Sequence, residues 1–143
     1  MIKNYKDFSI LHAEDDVCDV RMMQRILKNM DFQGKYQQVS IGSEILPLMN
    51  DIKTIKLPDL LILDISLPGT NGIELLQLIR QEERTMGVPI IMMSGSSSLR
   101  DFQKCIALGA NAYIQKTAEA GHLELIAKCF IEGFVHLTSQ NFI

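Results

Sequence analysis

Pro58-Asp59-Leu60-Leu61-Ile62-Leu63-Asp64 is an almost unbroken apolar run that follows a proline and stops at an acid. A strand with one wet face alternates apolar and polar residues. A strand covered on both faces does not, so this run predicts the central strand of a parallel sheet. Working outward, similar short runs occupy residues 8–13, 88–93 and 111–114, with a weaker one at 36–39. The segments between them change period. Val20, Met23, Ile26, Leu27 and Met30 recur every three or four residues, which predicts a helix from Asp19 that Gly34 ends. Ile45, Leu48, Met49 and Ile52 predict a second helix over 41–52, with Pro47 forcing a late start or a kink. Ile73, Leu75, Leu76 and Ile79 carry a third, fading around 85–87. A fourth spans 99–108, opened by Ser98 and closed by Gly109 as a left-handed cap. Leu123, Ile126, Ala127, Phe130, Ile131 and Phe134 mark a last one from Glu119 to about Leu137. Strands alternating with helices, with no hairpin signal, predict an α/β fold: a doubly wound, five-stranded parallel sheet with five helices.

The 143 residues fit a single domain over 1–143, with a core of about 8–135 and a polar tail at 138–143. At 47% apolar and 22% charged residues, the chain has the composition of an ordinary globular domain and not of a disordered one. A net charge of −3 gives no basic field for nucleic acid or an anionic membrane surface. No apolar run approaches the ~18 residues of a spanning helix, and no secretory core precedes the first strand. Cys18, Cys105 and Cys129 are far apart and never form a CxxC, which fits a reducing cytoplasm and predicts buried, inert thiols. His12, His122 and His136 lack ligand spacing, and the eight methionines read as core filler. Neither GxxxxGK[ST] nor GxGxxG occurs.

In open α/β sheets the sites gather beyond the carboxyl ends of the strands. The residues standing there are Glu14, Asp15 and Asp16 after the first strand, Asp64 after the third, Ser94 after the fourth and Lys116 after the fifth. Crowded carboxylates repel unless a cation joins them. A hard divalent ion, Mg²⁺, suits a few carboxylates completed by waters and phosphate. A lysine and a hydroxyl beside one aspartate can hold phosphoryl oxygens, and that carboxylate can act as nucleophile and become an aspartyl phosphate.

These residues closely resemble the response-regulator receiver domain of two-component signalling. The matching stretches are Ile10-Leu11-His12-Ala13-Glu14-Asp15-Asp16 with Asp19-Val20-Arg21, and Pro58 to Asp64 with Leu67-Pro68 and Asn71-Gly72-Ile73-Glu74. Pro89-Ile90-Ile91-Met92-Met93-Ser94 and Gly109-Ala110-Asn111-Ala112-Tyr113-Ile114-Gln115-Lys116 complete them. The 30 residues from Asp64 to Ser94 and the 22 from Ser94 to Lys116 are the family's spacing. The resemblance implies a flavodoxin/CheY-like (βα)5 fold and names Asp64 as phosphoacceptor. It implies Mg²⁺ on Asp15, Asp64 and the Ser66 backbone carbonyl, with Glu14 acting through water. Ser94 and Lys116 would contact the phosphoryl oxygens, and Tyr113 would be the switch aromatic that swings inward with Ser94. Two registers of the acidic pair fit: Glu14-Asp15, or Asp15-Asp16 with Glu14 counted to the strand. Glu-Asp-x-x-x-Asp-Val-Arg favours the first, because it resembles a receiver subgroup that includes partners of bacterial phytochrome-type kinases. Thr117 stands where many receivers carry proline, which puts the geometry of the loop holding Lys116 in question.

The implied function is a phosphorylation-dependent switch and not an enzyme acting on an external metabolite. It would take its phosphoryl group from a sensor histidine kinase or phosphotransfer protein. Without an output domain, it would act on a downstream protein, or dimerise, through the 99–133 face, with no nucleic-acid or membrane partner. Two other functions share parts of the pattern. An aspartyl-phosphate phosphatase needs a second aspartate two residues after the nucleophile, where Ser66 stands here. A flavin binder needs a phosphate loop after the first strand, where Glu14-Asp15-Asp16 would repel the phosphate.

Overall fold

Five strands, β1 (Ser9–Ala13), β2 (Lys35–Val39), β3 (Leu60–Asp64), β4 (Ile90–Ser94) and β5 (Ala112–Gln115), form one sheet in the order β2-β1-β3-β4-β5. Every neighbouring pair is parallel. The computed structural model describes residues 7–51, 56–116, 124–129 and 131–133. Its helices are α1 (Val17–Asn29), α2 (Ile45–Met49), α3 (Gly72–Gln81) and α4 (Leu99–Ala107), with a fifth, α5, at residues 124–129 and 131–133. The expected ends of that last helix, the tail, Thr117, His122 and His136 lie outside the described residues. No described helix is long and apolar enough to cross a membrane.

The strand periodicity of two sorts the core onto both faces of the sheet. Ile10, Leu60, Ile62, Ile91, Met93, Ala112 and Ile114 pack with α1 and with Ala127 and Ile131 of α5. Leu11, Ala13, Leu61, Leu63, Ile90 and Met92 face the other way, against α2, α3 and Cys105 of α4. All five residues of β3 are buried, which is why its sequence shows no alternation.

Helix ends show where the sequence expectations needed correction. α1 stops at Asn29, ahead of Gly34, because Asp31 adopts the left-handed conformation (φ 53°). Phe32 N then bonds Leu27 O at 2.9 Å and Asp31 N bonds Lys28 O at 3.0 Å, a Schellman closure on an aspartate. Gly109 (φ 101°) closes α4 in the same way, as its sequence predicts. The helix predicted over 41–52 begins late, as a 3-10 turn at Gly42–Glu44 and then α2. Pro47 is thereby the third residue of α2, where its missing N–H costs no bond. The cysteine expectation holds only in part. Cys105 is buried, and burial together with Asp101 pushes its thiol up to about 11, but Cys18 and Cys129 are exposed.

Arg80 ties the last turn of α3 to the segments entering β4 and β5. Its Nε donates to Gly109 O (2.9 Å), Nη1 to Met86 O (2.9 Å) and Val88 O (2.7 Å), and Nη2 to Asn111 Oδ1 (3.0 Å). Asn111 Oδ1 also accepts from Ile90 N at 2.8 Å, so one guanidinium holds the starts of two strands. Hydrogen bonds from a charged donor contribute ~1.5–3 kcal/mol each, with incomplete additivity. Arg80→Met is therefore expected to lower the free energy of unfolding by about 3 kcal/mol at unchanged denaturant slope. A loss below ~1 kcal/mol in denaturant titration would contradict this role for the guanidinium.

Candidate functional site

Parallel strands end at the same edge, and the four crossovers leave that edge open to the groups that follow each strand. Glu14 continues the β1 ladder through Glu14 N to Val39 O (3.0 Å), and its carboxyl is almost fully buried at 1% exposure. Asp15 follows it in the open. Asp16 caps α1, its Oδ1 accepting from Cys18 N at 2.8 Å and Asp19 N at 3.4 Å. That cap separates Asp16 from the other two acids in position. Glu14, Asp15 and Asp64 present carboxylate oxygens all within 4.8 Å of one another, while Asp16 is engaged by the helix.

Asp64 is the last residue of β3 and is 6% exposed; its Oδ1 accepts from Ser66 N at 3.2 Å. Its backbone is pinned from above by α3. Gly72 opens that helix with its N–H on Ile65 O (2.9 Å), and a Cβ there would collide with the Asp64 carbonyl oxygen. Glycine is thus required for α3 to start so close to the acid. Ser94, the last residue of β4, is buried, and its Oγ accepts from Ser96 N at 3.0 Å. Lys116 follows β5, its own N–H bonded to Ser94 O at 2.6 Å. Tyr113 sits half-buried on β5 with its hydroxyl donating to Ser96 O (3.5 Å) and its ring edge-on to Phe102 at 5.5 Å. Ser66 is exposed beyond β3.

The Lys116 ammonium joins these elements. Its Nζ lies 2.6 Å from Glu14 Oε1, 2.8 Å from Asp19 Oδ2 and 3.5 Å from Asp64 Oδ2. Burial and the adjacent Asp64 push the Glu14 carboxyl up to about 8, against the pull of Lys116. Desolvation pulls the ammonium down, but Asp19, Glu14 and Asp64 outweigh it and hold Lys116 charged beyond the ordinary lysine range. The two shifts differ in their main cause: desolvation leads for Glu14, with Asp64 adding to it, whereas the surrounding acids raise Lys116 against desolvation. At an effective dielectric of ~20, two buried like charges less than 5 Å apart repel by about 3 kcal/mol. A single ammonium shared among three carboxylates leaves negative charge over, and the all-oxygen donor set of Glu14, Asp15 and Asp64 fits a hard divalent ion. Beneath the site, the Tyr36 hydroxyl and His12 Nδ1 share a hydrogen bond of 2.7 Å, and burial holds His12 neutral, down to about 3.

The sequence spacing thus anticipated the meeting of Glu14, Asp15, Asp64 and Lys116 at one edge, with Ser94 joined to Lys116 through the backbone. It missed the contact of Asp19, which read as the start of the first helix and part of the matching Asp19-Val20-Arg21 and carried no sign that its side chain reaches the end of β5.

The response regulator receiver domain family matches residues 10–128. The chain belongs to that family. It is 26% identical over 132 residues to the two-component response regulator ARR17 of Arabidopsis thaliana, covering 88% of this chain and 86% of that one. It is 30% identical to the DNA-binding response regulator MtrA of Mycolicibacterium paratuberculosis, over 75% of this chain and only 44% of the longer relative. Among solved structures, the phosphorylated cyanobacterial phytochrome response regulator RcpA superposes with a TM-score of 0.83 at 28% identity, over 94% of this chain and 97% of that one. The Mn²⁺-bound response regulator Rcp1 shares the fold at a TM-score of 0.83 and 24% identity, over 95% of this chain and 99% of that one. Receiver domains are signalling proteins of two-component systems, with a phosphorylation switch general to the family.

Proposed function

We propose that Asp64 accepts a phosphoryl group from a sensor histidine kinase or phosphotransfer protein in the cytoplasm, and that the modification changes how the α4-β5-α5 side of the protein binds a partner. The observation that carries this reading is the approach of the Lys116 ammonium to the buried Asp64 and Glu14, from 52 and 102 residues away. A buried ion pair is weak evidence for stability, since apolar residues of the same volume do as well. A charged amine and three acids at one strand edge therefore need a reason in chemistry. RcpA, at 28% identity, has been seen phosphorylated, which supports the same event here.

In the transfer, an Asp64 carboxylate oxygen forms a bond to phosphorus as the donor's P–N bond breaks, and the imidazole departs with its electron pair. Positioning and charge neutralisation supply most of the rate in such transfers. Glu14, Asp15 and Asp64, with the Ser66 carbonyl, would hold Mg²⁺, which when bound neutralises charge on the acids and on the phosphoryl oxygens. Lys116 supplies a fixed positive charge next to Asp64, and Ser94 a hydroxyl from the neighbouring strand. In this reading the chain's chemistry is confined to its own modification, without turnover of an external substrate.

The output side is supported by the way α4 packs. Cys105 is its buried residue, while Leu99, Phe102 and Ile106 are 66%, 42% and 44% exposed along one stripe. Phe102 rests on Tyr113, and Tyr113 reaches the backbone of the loop that follows Ser94. A pull on Ser94 therefore has a short mechanical route to an exposed apolar helix face, the form of a local charge event with a wider readout. We propose that this face, continuing to Leu125 and Ile126 of α5, pairs with a second copy or a downstream protein.

Incubation with a small phosphodonor and Mg²⁺ is expected to give one acid-labile label per chain, lost in Asp64→Asn and in chelator; label retained by Asp64→Asn would overturn the acceptor assignment. Scattering with and without beryllofluoride is expected to show a larger mass for the loaded protein, and Phe102→Ser to cancel the increase. An unchanged mass would rule out the second copy and leave the downstream protein as the occupant.

A further inference from the structure

The first turn of α1 carries an acid that the proposed transfer does not use. Asp19 is the third residue of α1, a position from which an acidic side chain commonly turns back to the N-cap amide. Here it does not. Asp16 caps the helix, and the Asp19 side chain reaches across to the end of β5, 97 residues away, where Oδ2 meets Lys116 Nζ at 2.8 Å. The side chain is 22% exposed, so the contact is partly withdrawn from water. Asp19 is closer to the ammonium than Asp64 is, at 3.5 Å, yet it is outside the group of Glu14, Asp15 and Asp64.

We propose that Asp19 is a positioning residue that restrains the Lys116 ammonium against full engagement with the acid cluster and yields it when a phosphoryl group arrives at Asp64. The inference rests on the phosphoacceptor reading of Asp64. An ammonium has three donors, and this one divides them among partners of two kinds. Glu14 and Asp64 belong to the cluster that would hold the metal. Asp19 stands outside it. The pull of Asp19 thus opposes two things: competition of Lys116 with a metal ion for Glu14 and Asp64, and commitment of Lys116 to a phosphoryl oxygen. Neutralising Asp19 is expected to turn the lysine inward, weakening Mg²⁺ binding while strengthening the hold on a phosphoryl mimic.

Loss of any nearby negative charge also weakens a cation and strengthens an anion, so the test needs a charge-matched control and a cycle through the lysine. Asp16→Asn removes one charge in the same turn, keeps an N-cap acceptor and has no contact with Lys116. Calorimetry is to measure Mg²⁺ affinity, and beryllofluoride affinity at saturating Mg²⁺, for Asp19→Asn, Asp16→Asn, Lys116→Met and the two double variants. Thermal unfolding in chelator checks that each variant is folded. Asp19→Asn is expected to weaken Mg²⁺ about fivefold more than Asp16→Asn and to tighten beryllofluoride by a similar factor. Both excess effects are expected to vanish in the Lys116→Met background. Asp19→Glu, which keeps the carboxylate, is expected to restore most of the wild-type behaviour. Equal effects of Asp19→Asn and Asp16→Asn, or an excess that survives Lys116→Met, would overturn the positioning role while leaving the Asp64 assignment intact. Failure of the wild-type protein to bind beryllofluoride at all would overturn the phosphoacceptor reading and this inference with it.

Discussion

Glu14 and Asp64 are held out of water at the ends of two adjacent strands, with carboxylate oxygens less than 4.8 Å apart, and the rest of the site depends on what offsets their repulsion. Were both ionised they would repel by about 3 kcal/mol at an effective dielectric of ~20, and the rise of the Glu14 carboxyl to about 8, led by desolvation with Asp64 adding to it, relieves part of that. The Lys116 ammonium offsets it in part, at 2.6 Å from one acid and 3.5 Å from the other. What remains is a pocket in which burial and Asp64 hold the Glu14 carboxyl above its usual range while Lys116 stays charged against desolvation. Such a pocket is primed for a divalent cation and then for an anion brought to Asp64.

The fold makes this crowding possible. A parallel sheet brings the carboxyl ends of all its strands to one edge, and the apolar run of β3 carries Asp64 into a place buried on both faces. α3 begins directly over the Asp64 carbonyl because residue 72 is glycine. At the opposite ends of β4 and β5, Arg80 fixes both strands through backbone carbonyls and Asn111. The reacting groups are therefore held by the ends of strands, and Tyr113, Phe102 and the loop around Ser96 link them to the exposed side of α4.

How far the sequence revealed this follows from which interactions are local. The central strands and the residues after them were legible because burial on two faces leaves unbroken apolar runs, whereas the half-exposed β2 gave a weaker signal; strand ends in a parallel sheet also share an edge. Asp64, Ser94 and Lys116 were legible from spacing for the same reason. Interactions without a local signature were not. Asp31 takes the left-handed cap that Gly34 was expected to serve, since a short polar side chain tolerates that conformation. Arg80 looked like an ordinary last-turn cation, and its acceptors are backbone oxygens that no side-chain pattern encodes. Asp19 looked like a favourable charge at a helix start, a sufficient local explanation that hid its reach to Lys116. The outward stripe on α4 was equally hidden, because its period is that of any amphipathic helix and does not say which face turns inward.

A crystal structure grown with Mg²⁺ and beryllofluoride tests the central claim most directly. The beryllium is expected on an Asp64 carboxylate oxygen, the metal ion on Asp15 and Asp64, and the Lys116 ammonium moved off Asp19 onto a fluoride. A mimic seated on any other residue, or a lysine still held by Glu14 and Asp19 with no contact to the mimic, would contradict that claim.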